Sequence, residues 1–379
     1  MWYMNEERQQ LQKMVRDFAE AEVRPFIREM EEHETFPREV VRKAGELGLI
    51  ALSFPEQIGG MGPKWVEYGI FLEEISKVSS CMGNIFASIP AGTGLLLQSG
   101  NAELIQKYII PTMMGQMIPA SAQSEPCGGT RIQDFTCTAA IDGGDLVING
   151  GKIFCTNAGQ ADYYTVNCKT KAPYAPPFGS TCLVLVPADN PGLKVGHIEY
   201  KVGWHGSATG QLYFDNCRVP MSNLMMTFDM DEKMLAAGAF SPAITTAACM
   251  LGGAEGVYEK ALAYAKERLH GDKSLFDSYQ AMRHTFAGLK MEIEMLRSLI
   301  YGVFADMDHG DFNVSERALA AKIKGSRVFE HVASECVVLC GGNGTIVETD
   351  IERYYRDAKV TSVAGMSIYH LTDIIANGL

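Results

Sequence analysis

The chain has 379 residues, 47% of them hydrophobic and 21% charged, with a formal net charge of −12. That apolar content excludes wholesale disorder and allows a sizeable core, in two or three domains or one large unit. The acidic balance, with no basic run of five or more residues, excludes a nucleic-acid surface that works by displacing counterions.

The predicted elements fall into three blocks. Residues 1–120 read as an N-terminal helical domain. Leu11, Met14, Val15 and Phe18 recur at helical spacing, FPREVVRKAGELGLI continues the pattern, and SFPEQIGGMGPKW is a Gly/Pro connection. Further helices are predicted from Val66 to Lys77 and from Ala102 to Ile110. Residues 121–230 change period. DLVINGGKIFCTN, ADYYTVNC, STCLVLVPA, LKVGHIEY and GQLYFDNCRVP are short, β-branched and aromatic, with turn residues between them, and predict an antiparallel β domain. Residues 231–379 return to long helices with short links, a C-terminal four-helix bundle. The fold class is α+β. An uncharged run, Met234 to Ala254, reads as a buried helix and not a membrane span. The charged start, MWYMNEERQQLQ, does not read as a signal peptide, and ten cysteines without CxxC spacing read as reduced thiols of a cytoplasmic protein.

Common nucleotide and nucleophile motifs are absent. No GxGxxG follows a strand, and there is no P-loop, HExxH or GxSxG. Cys336 and Cys340 share a helix face and read as a buried pair; no metal site is predicted.

Five stretches carry more information. In order they are SAQSEPCGGTR, INGGKIFCTNAGQADYYTV, KVGWHGSATGQLYFDNCRVP, ALAYAKER with SLFDSYQ after it, and LCGGNG followed by IERYYRDAK. Together they resemble the acyl-CoA dehydrogenase family, flavoproteins that desaturate acyl-CoA thioesters, over nearly the whole chain. The resemblance implies FAD as cofactor, an acyl-CoA substrate, a homotetramer and an electron-transfer flavoprotein as partner. It places Ser124 and Thr130 on the flavin or the CoA arm, Phe154 against the flavin ring, and the Thr156 hydroxyl near its N5. Arg268, Gln280, Gly341 and Gly342 fall to the adenosine end, through a neighbouring subunit. Thr130, Ala364 and Gly365 fall to the substrate. Four departures concern the adenine end and its surroundings. Val338 replaces a Gln, His205 an Arg, and Met366 and Ile368 polar residues, while the turn after Arg268 is one residue longer.

The resemblance also exposes a gap. In the family, RDAK is followed by a Glu that removes the α-proton of the thioester. That position is Ala364 here. Relatives that place the Glu ten residues before the Gly preceding the ALAYAKER helix would have it at Pro242. Neither residue accepts a proton, and Ile75 to Ala102, a third wall of the pocket, has no carboxylate either. A positioned base contributes roughly 10²–10⁴-fold, so the gap bears on mechanism. Asp229, Asp231, His205 and His370 are the candidate substitutes. The sequence leaves four readings open: an atypical dehydrogenase or enoyl-CoA reductase, a desulfinase-like lyase, a catalytically silent acyl-CoA-binding relative, and a flavin monooxygenase. Val78 to Gln106 has no Lys or Arg. That argues for a neutral, branched or cyclic acyl group over an anionic one.

Overall fold

Helix α1 (Glu6–Phe18) begins where the Asn5 side chain accepts the Arg8 amide, with Glu6 and Glu7 in the first turn and Arg16 in the last. The computed structural model describes residues 1–129, 134–170, 180–228 and 240–379. After α1 come α2 (Ile27–His33), α3 (Arg38–Glu46), α4 (Trp65–Val78) and α5 (Ser80–Gln98). The predicted Ala102–Ile110 helix forms as short turns from Ala102 to Met113.

Helix α5 is an addition to the sequence reading. It is apolar enough to pass for a membrane span, yet 61% of that window is buried inside the protein, so it is a core helix. Pro90 lies within it. A proline there removes the N–H that would bond to Phe86. The freed Phe86 carbonyl instead accepts the Tyr68 hydroxyl of α4 at 2.8 Å.

The middle block forms an eight-stranded sheet: β1 (Pro119–Ala122), β2 (Thr138–Asp142), β3 (Asp145–Thr156), β4 (Tyr163–Thr170), β5 (Thr181–Pro187), β6 (Leu193–Ile198), β7 (Thr209–Pro220) and β8 (Leu224–Phe228). Its order is β6-β7-β3-β2-β4-β5-β8, with β1 on β4. Most pairings are antiparallel as expected, but β1 and β2 each pair with β4 in parallel. Parallel pairing needs a long crossover, and the β2–β3 hairpin lies within the one that links β1 to β4.

Three long helices follow: α6 (Phe240–Glu267), α7 (Gln280–Asp308) and α8 (Ser315–Leu339). Two shorter ones, α9 (Glu352–Thr361) and α10 (Ile368–Asn377), close the chain. Helices α4 and α6 pack backbone to backbone. A Cβ on Gly252 would lie 2.2 Å from the Glu73 carbonyl oxygen, and one on Gly256 2.2 Å from that of Lys77. The LGGAEG stretch is therefore a contact seam and not a helix end.

A charged network locks α4, α6 and α7 together. Arg297 of α7, 4% exposed, bonds Glu73 of α4 and reaches Glu255 of α6 at 2.5 Å. Tyr301 donates to Glu73 at 2.6 Å, and Lys290 to Glu255 at 2.9 Å. Desolvation works against the guanidinium, but the two carboxylates outweigh it and hold the Arg297 pKa above its ordinary value. Removing one partner of such a pair leaves a buried charge uncompensated, which costs about 3–5 kcal/mol. Arg297→Ala should therefore lower unfolding stability by about that amount, read by denaturant titration. A loss near zero would mean that Glu73 and Glu255 do not depend on Arg297.

Candidate active site

Strand β3 bulges against β7 between Lys152 and Cys155. The bulge holds Phe154 at a φ of 51°, a left-handed conformation that a bulky residue rarely adopts. The residue is 64% exposed. Period-two alternation puts Thr156 on the same face as Phe154 and turns Cys155 inward. Burial pushes the Cys155 thiol up to about 12, so it is inert. Ser124 lies alongside, because its carbonyl accepts the Ile153 amide at 2.8 Å.

The turn carrying Ser124 is held from beneath. Glu125, 1% exposed, accepts from the Thr136 amide at 2.6 Å, the Thr136 hydroxyl at 2.9 Å, the Cys137 amide at 3.1 Å and Lys152 at 2.8 Å. Burial alone would raise its pKa. These donors, Lys152 first, instead hold it below the usual carboxylate range. Glu125 is thus a fixed anion that shapes the SEPCGG turn and does not titrate near neutrality. Thr130 lies outside the described residues, as do Asp229 and Asp231.

Helix α5 brings neutral polar groups to the residues just after β3 and just before β7. Asn84 approaches the Ser207 hydroxyl at 3.5 Å, and Ser88 approaches the Asn157 amide nitrogen at 3.4 Å. Asn157 itself is held by the Pro119 carbonyl at 3.0 Å.

Arg268, Gln280, Gly341 and Gly342 form a separate, exposed group at one end of the bundle. Asn343 bonds the Tyr264 hydroxyl at 2.7 Å and so ties the Gly341–Thr345 turn to the end of α6. The Arg268 carbonyl accepts the Leu275 amide at 2.8 Å, just ahead of Gln280. A Cβ on Gly341 or Gly342 would meet nothing within 4 Å, so their backbone is open to an approaching molecule. Among the described residues, no hydrogen bond joins this group to Phe154, Thr156 or Ser124.

The charged half of IERYYRDAK is structural. Asp357 is fully buried and accepts from Ser80 at 2.7 Å and the Trp204 amide at 2.8 Å. Arg353 donates to the Val78 carbonyl at 2.9 Å, and Arg356 to Glu31 at 2.7 Å. They fix α9 and so fix where Ser362 to Ser367 emerges. Pro242, one of the two positions that the resemblance matches to the family's Glu, lies on a small cavity, and Ala364, the other, directly precedes Gly365 on its wall. Pro242, Ala243 and Thr246 of α6 line that cavity with Gly365 and Met366, Leu371 of α10, and Lys322 of α8. Lys322 is 2% exposed and donates to the Met366 carbonyl. Desolvation lowers its pKa to about 8. Sequence reasoning missed this residue. The available signal was its place on the buried stripe Ala318, Lys322, Gly325, Phe329.

Of the candidate substitute bases, His205 is engaged elsewhere. Its Nε2 lies 2.9 Å from the Lys201 carbonyl, its Nδ1 lies 3.3 Å from Glu31, and its ring stacks on Tyr200. It lines a second, larger cavity of about 380 Å³ with Glu34, Gln160, Glu199 and Lys201, which none of the expected flavin residues line. His370 adjoins Leu371, and its Nε2 is buried without a hydrogen-bond partner.

Comparison with known proteins agrees with this architecture. The family models for the acyl-CoA dehydrogenase N-terminal, middle and C-terminal domains match residues 5–116, 120–217 and 241–379. An acyl-CoA dehydrogenase of Bacillus subtilis is 34% identical over 362 residues, covering 95% of this chain and 94% of its own. A short-chain-specific acyl-CoA dehydrogenase of Clostridium acetobutylicum is 33% identical over 365 residues, covering 95% and 94%. Among solved structures, butyryl-CoA dehydrogenase of Megasphaera elsdenii superimposes with a TM-score of 0.91 at 26% identity, covering 99% of this chain and 98% of that one. A chain of a structure described as the electron transferring flavoprotein of Acidaminococcus fermentans gives 0.93 at 30% identity, covering 100% and 99%. With three domain models in register and relatives above 30% identity along almost its full length, the chain belongs to the acyl-CoA dehydrogenase family.

Proposed function

We propose that this protein is an FAD-dependent acyl-CoA oxidoreductase that works between adjacent carbons of a neutral, branched or cyclic acyl group. It does so without a carboxylate at either place where its family keeps one. The observation that carries this reading is the Phe154 ring, exposed at a positive φ on the strand face it shares with Thr156. A large exposed aromatic ring on a strained bulge is a poor choice for a bare surface and a good platform for a flat ring system. The chain fits FAD. Phe154, Thr156 and Ser124 would hold the flavin, while Arg268, Gln280 and the open Gly341-Gly342 turn would hold the adenosine end. A bound flavin supplies a two-electron acceptor for a hydride. Thr156 orients that ring through its hydroxyl, and the α5 wall excludes water from the acyl chain and presents Asn84 and Ser88, with no charge to bind an acidic tail.

The separation of the two FAD-facing groups within one subunit supports a homotetramer in which a neighbour completes each site. Met291 and Met295, one turn apart on α7, are 62% and 66% exposed, and Val338 on α8 is 71% exposed, as surfaces buried by assembly are in an isolated subunit. A cytoplasmic location and an electron-transfer flavoprotein as electron partner belong to the same reading. The lack of Lys or Arg from Val78 to Gln106 weighs against the desulfinase alternative.

Three outcomes test the proposal. Anaerobic titration of the FAD-loaded protein with a panel of acyl-CoA thioesters should bleach the flavin band, and enoyl-CoA thioesters should reoxidise it. Protein that takes up no FAD, or a flavin untouched by every thioester, would remove the proposal. Phe154→Ala should weaken FAD retention by about tenfold, the size of one lost aromatic stacking contact, measured by equilibrium dialysis. Ala364→Glu should confer or raise 1,2-desaturation of a simple acyl-CoA. Unchanged activity in a well-folded variant would mean that Ala364 does not face the α-carbon.

A further inference from the structure

Three sulfurs stand side by side across the sheet, on the face that forms the β domain's own core. Cys137 lies one residue ahead of β2, Cys168 in β4 and Cys182 in β5, and those strands are neighbours in the sheet order. Cys137 and Cys168 sit one step before the parallel pair Thr138 and Lys169, and Cys168 is the direct partner of Cys182. All three are fully buried in one apolar cluster. Cysteine is a common core residue, so burial alone assigns nothing. The geometry does more. The Sγ atoms of Cys137 and Cys168 are 3.9 Å apart. Neighbouring strands run about 4.7–4.9 Å apart, inside the Cα separation of about 4.4–6.8 Å that a disulfide spans.

We propose that Cys137 and Cys168 form a reversible disulfide when the protein meets a hydroperoxide, and that this bond loosens the turn that carries Ser124. The pair lies at a sheet end. Thr136 is exposed, Lys169 and Thr170 are half-buried, and the β2–β4 ladder has only the pairs Thr138–Lys169 and Ala139–Thr170. Local opening of so short a ladder admits a small oxidant without global unfolding. The two sulfurs are chemically distinct. The Cys168 thiol directed at Cys137, with the Lys152 charge nearby, holds Cys137 below the ordinary thiol range. The same bond and burial hold Cys168 well above it. Cys137 is therefore the nucleophile and Cys168 the resolving thiol.

The Cys137 sulfur attacks the terminal peroxide oxygen, the O–O bond breaks, and the departing alkoxide takes the Cys137 proton and leaves as alcohol. Cys168 then attacks the sulfenic acid so formed. An S–S bond forms, the S–O bond breaks, and hydroxide leaves with the Cys168 proton as water. The two thiols lose two electrons and the hydroperoxide gains them. Closure draws the sulfurs together from 3.9 Å to about 2.05 Å. A bond made at the cost of such a pinch is strained, and a strained disulfide is readily reduced, so a dithiol returns the pair to thiols. The pull travels because the Cys137 backbone is held at both ends. Its amide donates to Glu125 at 3.1 Å, and its carbonyl accepts the Lys169 amide at 2.9 Å. Glu125 shapes the turn that presents Ser124, so a displaced Cys137 disturbs that turn. Only the consequence for flavin rests on the reading under Proposed function.

The test exposes the FAD-loaded full chain to hydrogen peroxide, blocks the remaining thiols with N-ethylmaleimide under denaturing conditions, and maps the peptides by mass spectrometry. A linked pair of peptides holding Cys137 and Cys168, lighter than its parts by the two thiol hydrogens, is expected, and dithiothreitol should remove it. Cys168→Ala should stop at a Cys137 sulfenic acid that dimedone traps, while Cys182→Ala should leave the link intact. The wild-type map needs neither variant to fold. Oxidised protein should lose hydrogen-exchange protection at the Cys137 amide and release FAD in equilibrium dialysis, and dithiothreitol should reverse both. Absence of the link at a peroxide dose that converts the exposed Cys127 overturns the inference, as does a wild-type link that joins Cys168 to Cys182 instead. A link that leaves the Cys137 amide protected, or FAD retention unchanged, overturns its coupling to the turn. Reduced protein that never takes up FAD counts against Proposed function instead, and the peptide map and amide exchange still decide the inference.

Discussion

Three blocks of chain meet at one buried carboxylate, and the geometry of the site follows from it. Asp357 is held by Ser80 at the start of α5 and by the Trp204 amide in the β6–β7 connection. Trp204 returns a second bond from its Nε1 to the Ser80 hydroxyl at 3.1 Å. Arg353, one turn earlier, stands 3.7 Å from the same carboxylate and is gripped by Asp350 at 2.5 Å. A buried charge tolerates little freedom, because each lost donor leaves it desolvated and unpaired. The β domain comes so close here that a Cβ on Gly203 would lie 2.7 Å from the Arg356 carbonyl carbon. With α9 fixed on three sides, Ser362 to Ser367 departs from a set point, and Gly365 and Met366 reach the start of α6.

That arrangement answers why a segment dense in charge should end in Ala364-Gly365-Met366. Arg353, Arg356 and Asp357 bond to other blocks of the chain, and the residues that follow them carry no charge. The same logic governs the SEPCGG turn, where Glu125 and Lys152 bury a complete ion pair beneath the loop. In both places polar chemistry works inward to fix backbone, and the outward face is left sparse.

Much of this was legible in the sequence. Amphipathic spacing marks α1 and α3, and period-two alternation marks the strands and puts Phe154 and Thr156 on one face. Helix α5 was not legible as a helix. Ile85, Phe86, Ile89 and Leu96 are buried and no charged residue marks an outer face, so the period is faint, and Pro90 sits inside it. The parallel pairing of β1 with β4 depends on a crossover that no local pattern records. Arg268, Gln280, Gly341 and Gly342 rest on resemblance alone, because exposed residues carry no signal of periodicity or burial. Lys322 was visible as a charge at a core position of α8.

Lys322 shows what a charge on a core stripe costs the fold. Lowering its pKa from 10.5 to about 8 means that the unfolded chain binds that proton more tightly. At neutral pH the fold is less stable by about 3 kcal/mol than it would be with an unperturbed lysine, and this deficit vanishes as pH rises past the unfolded value.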